Sequence, residues 1–149
     1  MILEYHCLPH CDYKPVRANP SDAGLDLCYN GAWTSIQPGE SKVLPTGLKF
    51  GIPHGYMLQI MNRSGNAAKK QLIVGACVVD SGYDGEVFVN LHNVGSEAQD
   101  IHRGMKIAQA VLIPVVPVRF VETSEDNLYD WYPITISDRG DGALGSTGD

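Results

Sequence analysis

An all-β sandwich or barrel is the fold class this sequence predicts. Three observations carry that expectation: apolar residues recur in short alternating or near-continuous runs, turn formers stand between the runs, and only one patch has helical character. Glycine and proline supply most of the punctuation, with 16 and 9 of the 149 residues. Neither an internal repeat nor a linker divides the chain, and its length suits one domain that buries roughly 70% of its unfolded surface without metal or disulfide.

The elements follow in chain order. In "DAGLDL" an extended backbone would turn Leu25 and Leu27 to one side and Asp26 to the other. "SKVLPTGLKFGIPHGYMLQIM" reads as two strands, Lys42 to Phe50 and Tyr56 to Met61, separated by Pro53 and Gly55. "GNAAKKQL" is the helical patch, about two turns long, with Ala67, Ala68, Lys69 and Lys70. "ACVVD" reads as a buried β-branched strand that runs into Asp80, and "EVFVNLHN" alternates from Glu86 to Asn93. "KIAQAVLIPVVPVRFVE" is a long β-branched stretch that Pro114 and Pro117 confine to edge or bulged pairing. Beyond about Glu122 the chain is weakly hydrophobic, so residues 1–122 form a β-rich body and 123–149 an arm.

Composition excludes several classes. No apolar run approaches the ~20 residues of a membrane span, and "MILEYHCLPH" lacks the basic lead and long apolar stretch of a secretory signal. A net charge of −6 argues against broad nucleic-acid binding. A small phosphorylated ligand stays compatible with it, since two or three focused arginines and a divalent cation suffice. Cys7, Cys11, Cys28 and Cys77 form no paired C-x-x-C framework and read as small hydrophobes or free thiols of a reducing compartment. The expected setting is therefore the cytoplasm, or host cytosol for a viral protein. "HCLPHC" places the possible zinc ligands His6, Cys7, His10 and Cys11 together, although such close neighbours rarely close a tetrahedron without a second ligand pair.

Four stretches carry candidate chemistry. Arg63, Ser64 and Gly65 lie between a strand and a helical turn, which reads either as an anion site or as a plain Ser64 N-cap. Asp80 ends an apolar strand with Tyr83 three residues on; the acid could orient a water and the ring could pack on a sugar, or Asp80 could simply open a turn. Gln109 interrupts an apolar strand and needs a partner if buried. The terminal "DRGDGALGSTGD" reads as a frayed end or as a segment that orders on phosphate, with glycine backbone N–H groups and Arg139 as donors.

Taken in order, these motifs resemble the homotrimeric dUTPase family, the deoxyuridine 5'-triphosphate nucleotidohydrolases. A-G-x-D-L is matched by Ala23 to Leu27, R-S-G by Arg63 to Gly65, and G-V-I-D-x-x-Y-x-G-E by Cys77 to Glu86. G-x-R-I-A-Q is matched by Gly104 to Gln109, and R-G-x-G-G-F-G-S-T-G by Arg139 to Gly148. The resemblance implies a jelly-roll-like fold with a flexible Gly-rich C-terminal arm, a homotrimer with active sites at subunit interfaces, and Mg2+-assisted hydrolysis of dUTP to dUMP and pyrophosphate. Residues 1–122 would be the catalytic domain, and 123–149 would close over an active site of a neighbouring subunit.

By the same resemblance, Asp80 would be the general base for water attack on the α-phosphorus, and Tyr83 would pack under the deoxyribose and exclude a 2'-hydroxyl. Gly75 and Val79 would be substrate-binding positions where turn backbone reads uracil. Asp26 would help position hydrated Mg2+. Arg63, Ser64, Gly65 and Gln109 would hold the phosphates, and Arg139, Leu144, Gly145, Ser146 and Thr147 would close over the substrate. Four positions depart from the pattern: Cys77 replaces a glycine, Asp84 and Lys106 replace arginines, and Ala143-Leu144 replace Gly-Phe, so that the aromatic lid becomes aliphatic. Two other readings share the fold: a dCTP deaminase-like enzyme, and a nucleotide-dependent regulatory binding protein whose partner is unknown.

Overall fold

The apolar runs become ten strands in the computed structural model, which describes residues 1–133 and 140–142. In chain order these are β1 (Glu4–Cys7), β2 (Leu25–Cys28), β3 (Thr34–Ile36), β4 (Ser41–Gly51) and β5 (Tyr56–Met61). The helix α1 (Ser64–Lys70) comes next, then β6 (Leu72–Val74), β7 (Val78–Asp80), β8 (Val87–Asn93), β9 (Gln99–Ile101) and β10 (Lys106–Pro114). Every ladder among them is antiparallel. Two four-stranded sheets, ordered β1-β4-β8-β6 and β2-β10-β5-β7, share one core, and β3 pairs with β9 apart from them.

Period-2 alternation explains why the sheets pack as they do. β8 turns Val87, Val89 and Leu91 inward, while Phe88 stays exposed and Asn90 and His92 are half-buried. Across the core, β5 contributes Leu58 and Ile60, β2 contributes Leu27, and β10 contributes Ala108 and Ala110. Each fully buried leucine or valine is stabilised by about 1.5–3 kcal/mol relative to exposure. The buried polar side chains are satisfied: the Asn93 amide donates to the carbonyls of Ile36 and Glu97, and that of Asn30 to the carbonyl of Thr46.

β4 carries a proline because it is bulged there. Pro45 is the last residue in register with β8, opposite Phe88, before the register shifts ahead of Leu48, and proline is tolerated at such a bulge. Gly47 adopts a φ of +70°, and a Cβ on it would lie 2.7 Å from that of Cys11. Buried between them, Thr46 donates its hydroxyl to the Val87 carbonyl at 2.5 Å.

Three expectations change. The β-branched run into Asp80 is a three-residue edge strand, not a buried one: β7 pairs only with β5, and Val78 is 57% exposed. β10 is not an edge strand; it lies between β2 and β5, bulged only between Lys106 and Ala108, with Pro114 as its last residue. At the start of α1 the N-cap is Arg63 in extended conformation, with no side-chain cap bond, and Ser64 is the first helical residue. Gln71 closes the helix in the left-handed region, and Lys69 and Lys70 lie where the dipole favours cations.

The chain packs as two units, Met1–Pro117, which holds all ten strands, and a second from Val118 onward. Among its described residues the second has one short 3-10 turn, Glu125–Asn127, and Phe120, Trp131 and Tyr132 are exposed.

Candidate active site

The sheet β2-β10-β5-β7 carries both candidate acids on its outward face. Asp26 is in register with Gln109, Gln109 with Met61, and Asp80 with Met57. Register partners share a face, and Met57 and Met61 are four residues apart on β5, so Asp26, Gln109 and Asp80 all point to the side opposite Leu27, Ala108 and Leu58.

At the β2 edge Asp26 is paired twice. Its Oδ1 accepts from Arg63 Nε at 3.0 Å, and its Oδ2 lies 2.9 Å from Lys106 Nζ, with the carboxylate side chain 17% exposed. Lys106 thus keeps the charge of the arginine it replaces and spends it on Asp26 as a point contact. Gln109 finds the partner its position demands, donating Nε2 to the Asn62 carbonyl at 2.8 Å. Gly24 lets it lie there, since a Cβ on Gly24 would meet Gln109 Oε1 at 2.6 Å. Asp26, Arg63, Ser64, Gly65, Lys106 and Gln109 line one cleft of about 310 Å³, into whose wall Asp22 also enters. Two cations, a hydroxyl and an amide around such a cleft offer donors for an anion.

At the β7 edge Asp80, Val79 and Tyr83 line a second cleft of about 210 Å³ with Cys77, Glu86 and Phe88. The backbone N–H of Tyr83 closes a turn onto the Asp80 carbonyl at 3.1 Å, and its hydroxyl donates to the Glu86 carbonyl at 2.7 Å. Gly75 borders the segment leading in. Its N–H donates to the Asn90 carbonyl at 2.9 Å, and a Cβ would lie 2.3 Å from both Asn90 Oδ1 and His92 Nε2, so only glycine fits. Asn90 Oδ1 also accepts the N–H of Ala76 at 3.1 Å. Cys77 gives its carbonyl to Ile60 N–H at 2.7 Å, a pairing that its side chain leaves intact.

The two clefts have no lining residue in common, so the fold brings Asp26, Arg63, Ser64, Gly65 and Gln109 together but sets Asp80, Val79 and Tyr83 apart from them. Arg139, Leu144, Gly145, Ser146 and Thr147 lie outside the described residues. Asp84 is not an unbalanced charge: Lys49 Nζ lies 2.6 Å from its Oδ1, and that hydrogen bond and charge hold its carboxyl below the usual range. Among the described residues no group of three or more His, Cys, Asp or Glu could hold a metal ion, and two of the "HCLPHC" side chains have partners outside the cluster. The His10 ring meets Glu86, and Cys11 Sγ donates to the Tyr13 carbonyl at 3.6 Å. All four cysteines are free. Sequence reading gave no role to Asn62, Asn90 or Glu86. A polar residue inside an apolar strand, the signal that singled out Gln109, also marks Asn90.

Fold and clefts define an antiparallel, jelly-roll-like β protein with donors arranged for an anionic ligand. The family model described as dUTPase matches residues 13–148. The deoxyuridine 5'-triphosphate nucleotidohydrolase of Gloeobacter violaceus is 40% identical over 144 residues, covering 95% of this chain and 92% of that protein. The protein of the same name from Chlamydia muridarum is 41% identical over 138 residues, covering 91% and 90%. The chain belongs to the dUTPase family. Among solved structures, the dUTPase of Staphylococcus aureus phage phi11 superposes with a TM-score of 0.78 at 23% identity, covering 84% of this chain and 97% of that one. A G164S mutant of the Staphylococcus bacteriophage 80alpha dUTPase gives 0.80 at 24%, covering 99% of each. At that identity the likeness shows the fold. No helix among the described residues is long and apolar enough to cross a membrane.

Proposed function

We propose that this chain hydrolyses dUTP to dUMP and pyrophosphate. The observation that carries the reading is the family match over residues 13–148, inside which Asp80 and Tyr83 line one cleft at the β7 edge. Asp80 takes a proton from a water that attacks the α-phosphorus in line; the bond to the bridging oxygen breaks and pyrophosphate leaves. Tyr83 packs under the deoxyribose, and the backbone from Gly75 to Val79 faces the base. Arg63, Ser64, Gly65 and Gln109 hold the phosphates. From the sequence alone, Arg139, Leu144, Gly145, Ser146 and Thr147 complete the grip. Most of the catalysis this assigns is positioning and charge neutralisation, which phosphoryl transfer chiefly needs.

Asp26, with Asp22 in the same cleft wall, would help to position a hydrated Mg2+ through water, since both Asp26 oxygens already meet cations. When bound, the ion would neutralise charge on the phosphates. Asp26 holds Arg63 and Lys106 in place for the same anion.

The active sites are composite, and the chain acts as a homotrimer. Asp26 and Asp80 stand on opposite edge strands, three strand spacings and four residues of rise apart. At about 4.8 Å and 3.3 Å per step this is about 20 Å, too far for both to serve the α- to γ-phosphates of one nucleotide. One subunit's Asp80 edge facing its neighbour's Asp26 edge resolves that. The arm from 123 onward belongs to the same proposal, docking on another subunit. Free thiols and a nucleotide substrate suit a cytosolic setting.

Pyrophosphate release from dUTP, dTTP, dCTP and UTP with Mg2+, for the full chain and for a form ending at Ser137, tests the reading. Selective turnover of dUTP that truncation abolishes is expected. Ammonia from dCTP, or dUTP binding without turnover, would instead favour the deaminase or regulatory readings.

A further inference from the structure

The loop of residues 8–13 takes no part in the reaction above, yet it is held unusually firmly. Arg103 donates to the carbonyls of His10 at 2.7 Å and Asn30 at 2.6 Å, and pairs with Asp12. Asn30 Oδ1 accepts the N–H groups of Asp12 and Tyr13 at 2.9 and 3.2 Å, and Leu8 N–H reaches the Gly47 carbonyl at 2.8 Å. A loop so tied presents the His10 ring at a fixed point. There Nε2 lies 2.8 Å from Oε1 of Glu86.

The same carboxylate oxygen accepts Gly47 N–H, from the β4 bulge, at 2.7 Å. The Glu86 side chain is only 15% exposed, so these two donors stand in for most of its water. Glu86 immediately precedes β8, and its carbonyl is the acceptor for the Tyr83 hydroxyl at 2.7 Å. Gly85 makes that bond possible, because a Cβ there would sit 2.6 Å from the hydroxyl. Side-chain contacts at Glu86 therefore fix the backbone that fixes the Tyr83 ring.

We propose that His10 and Glu86 are a positioning pair that sets the Tyr83 ring against the nucleotide sugar and so helps to reject a 2'-hydroxyl. The proposal rests on the dUTP reading and deepens it. Exclusion of one hydroxyl depends on a wall that does not yield, and a ring tethered at its hydroxyl to the backbone of Glu86, whose half-buried carboxylate is itself held by two donors, yields less than a free one. His10, at residue 10, and Glu86 are 76 positions apart, so the tether joins an N-terminal loop to the acid-bearing turn.

The test compares kcat/KM for dUTP and UTP in the full-length parent, His10→Ala, Glu86→Ala and Glu86→Gln. The dUTP preference should fall about fivefold or more in both alanine variants, chiefly through better use of UTP, since one hydroxyl is worth up to ~10²-fold in such pockets. Glu86→Gln keeps an acceptor oxygen for Gly47 and His10 and should restore most of it. Circular dichroism checks folding; should Glu86→Ala fail to fold, His10→Ala, at an exposed loop, decides. An unchanged preference in folded His10→Ala, or a Gln variant as relaxed as the alanine one, overturns the proposal. Calorimetric binding of dUMP against UMP reads the same preference without turnover, so a parent that hydrolyses nothing would refute the dUTP reading while still judging the pair.

Discussion

Asp26 and Asp80 occupy the two edge strands of one four-stranded sheet and face the same side, about 20 Å apart by strand spacing and rise. One carboxylate is already matched by Arg63 and Lys106, and the other stands at an exposed strand end.

Asp80→Asn keeps the size and hydrogen bonding of the side chain but cannot take a proton. Loss of a general base costs on the order of 10²–10⁴ in rate. Steady-state kinetics on dUTP should show that fall in kcat with KM changed far less; full-speed hydrolysis by the amide would end the assignment.

Leu144→Phe restores the aromatic lid of the family pattern. Ring stacking is worth about 1 kcal/mol beyond area, so KM for dUTP should drop roughly fivefold. An unchanged or higher KM contradicts the idea that an aliphatic lid weakens substrate holding.

Cys11 ties stability to alkaline pH. Burial, and then its hydrogen bond to Cys7 and that group's charge, push the Cys11 thiol from 9.0 up to about 11. A group whose pKa is raised on folding contributes fully below its unfolded value and loses that contribution as pH climbs through the folded one. The melting temperature should therefore fall between about pH 9 and 11, and fall less steeply in Cys11→Ala; parallel curves for the two proteins would refute this coupling.

Leu91→Ala tests the shared core. Leu91 is 1% exposed on the inner face of β8, and emptying such a site costs about 2–5 kcal/mol. Urea denaturation should give a lower midpoint with the slope unchanged; a loss under 1 kcal/mol would mean that the two sheets do not pack as described.

What was legible in the sequence follows from the range of the forces involved. Alternation at Val87, Val89 and Leu91 is local and reports an inward face directly, so β4, β5, β8 and α1 stand close to their expected limits. Val78 and Val79 carry the same apolar signal but lie on an edge strand, because strand order is decided by distant partners. The pairing of Asp26 with Lys106 and of Glu86 with His10 spans about half of the chain, and no periodicity announces it. Gln109 stands out in the sequence as a polar residue needing a partner, yet the partner is the carbonyl of Asn62, which no local pattern marks.

Subunit mixing tests the composite site most directly. Asp26→Asn and Asp80→Asn proteins, each inactive alone, are unfolded together and refolded in equal amounts, and dUTP hydrolysis is then measured. If each site takes Asp80 from one subunit and Asp26 from the next, random trimers regain about one quarter of the parental activity. A mixture no more active than its two components would contradict the account.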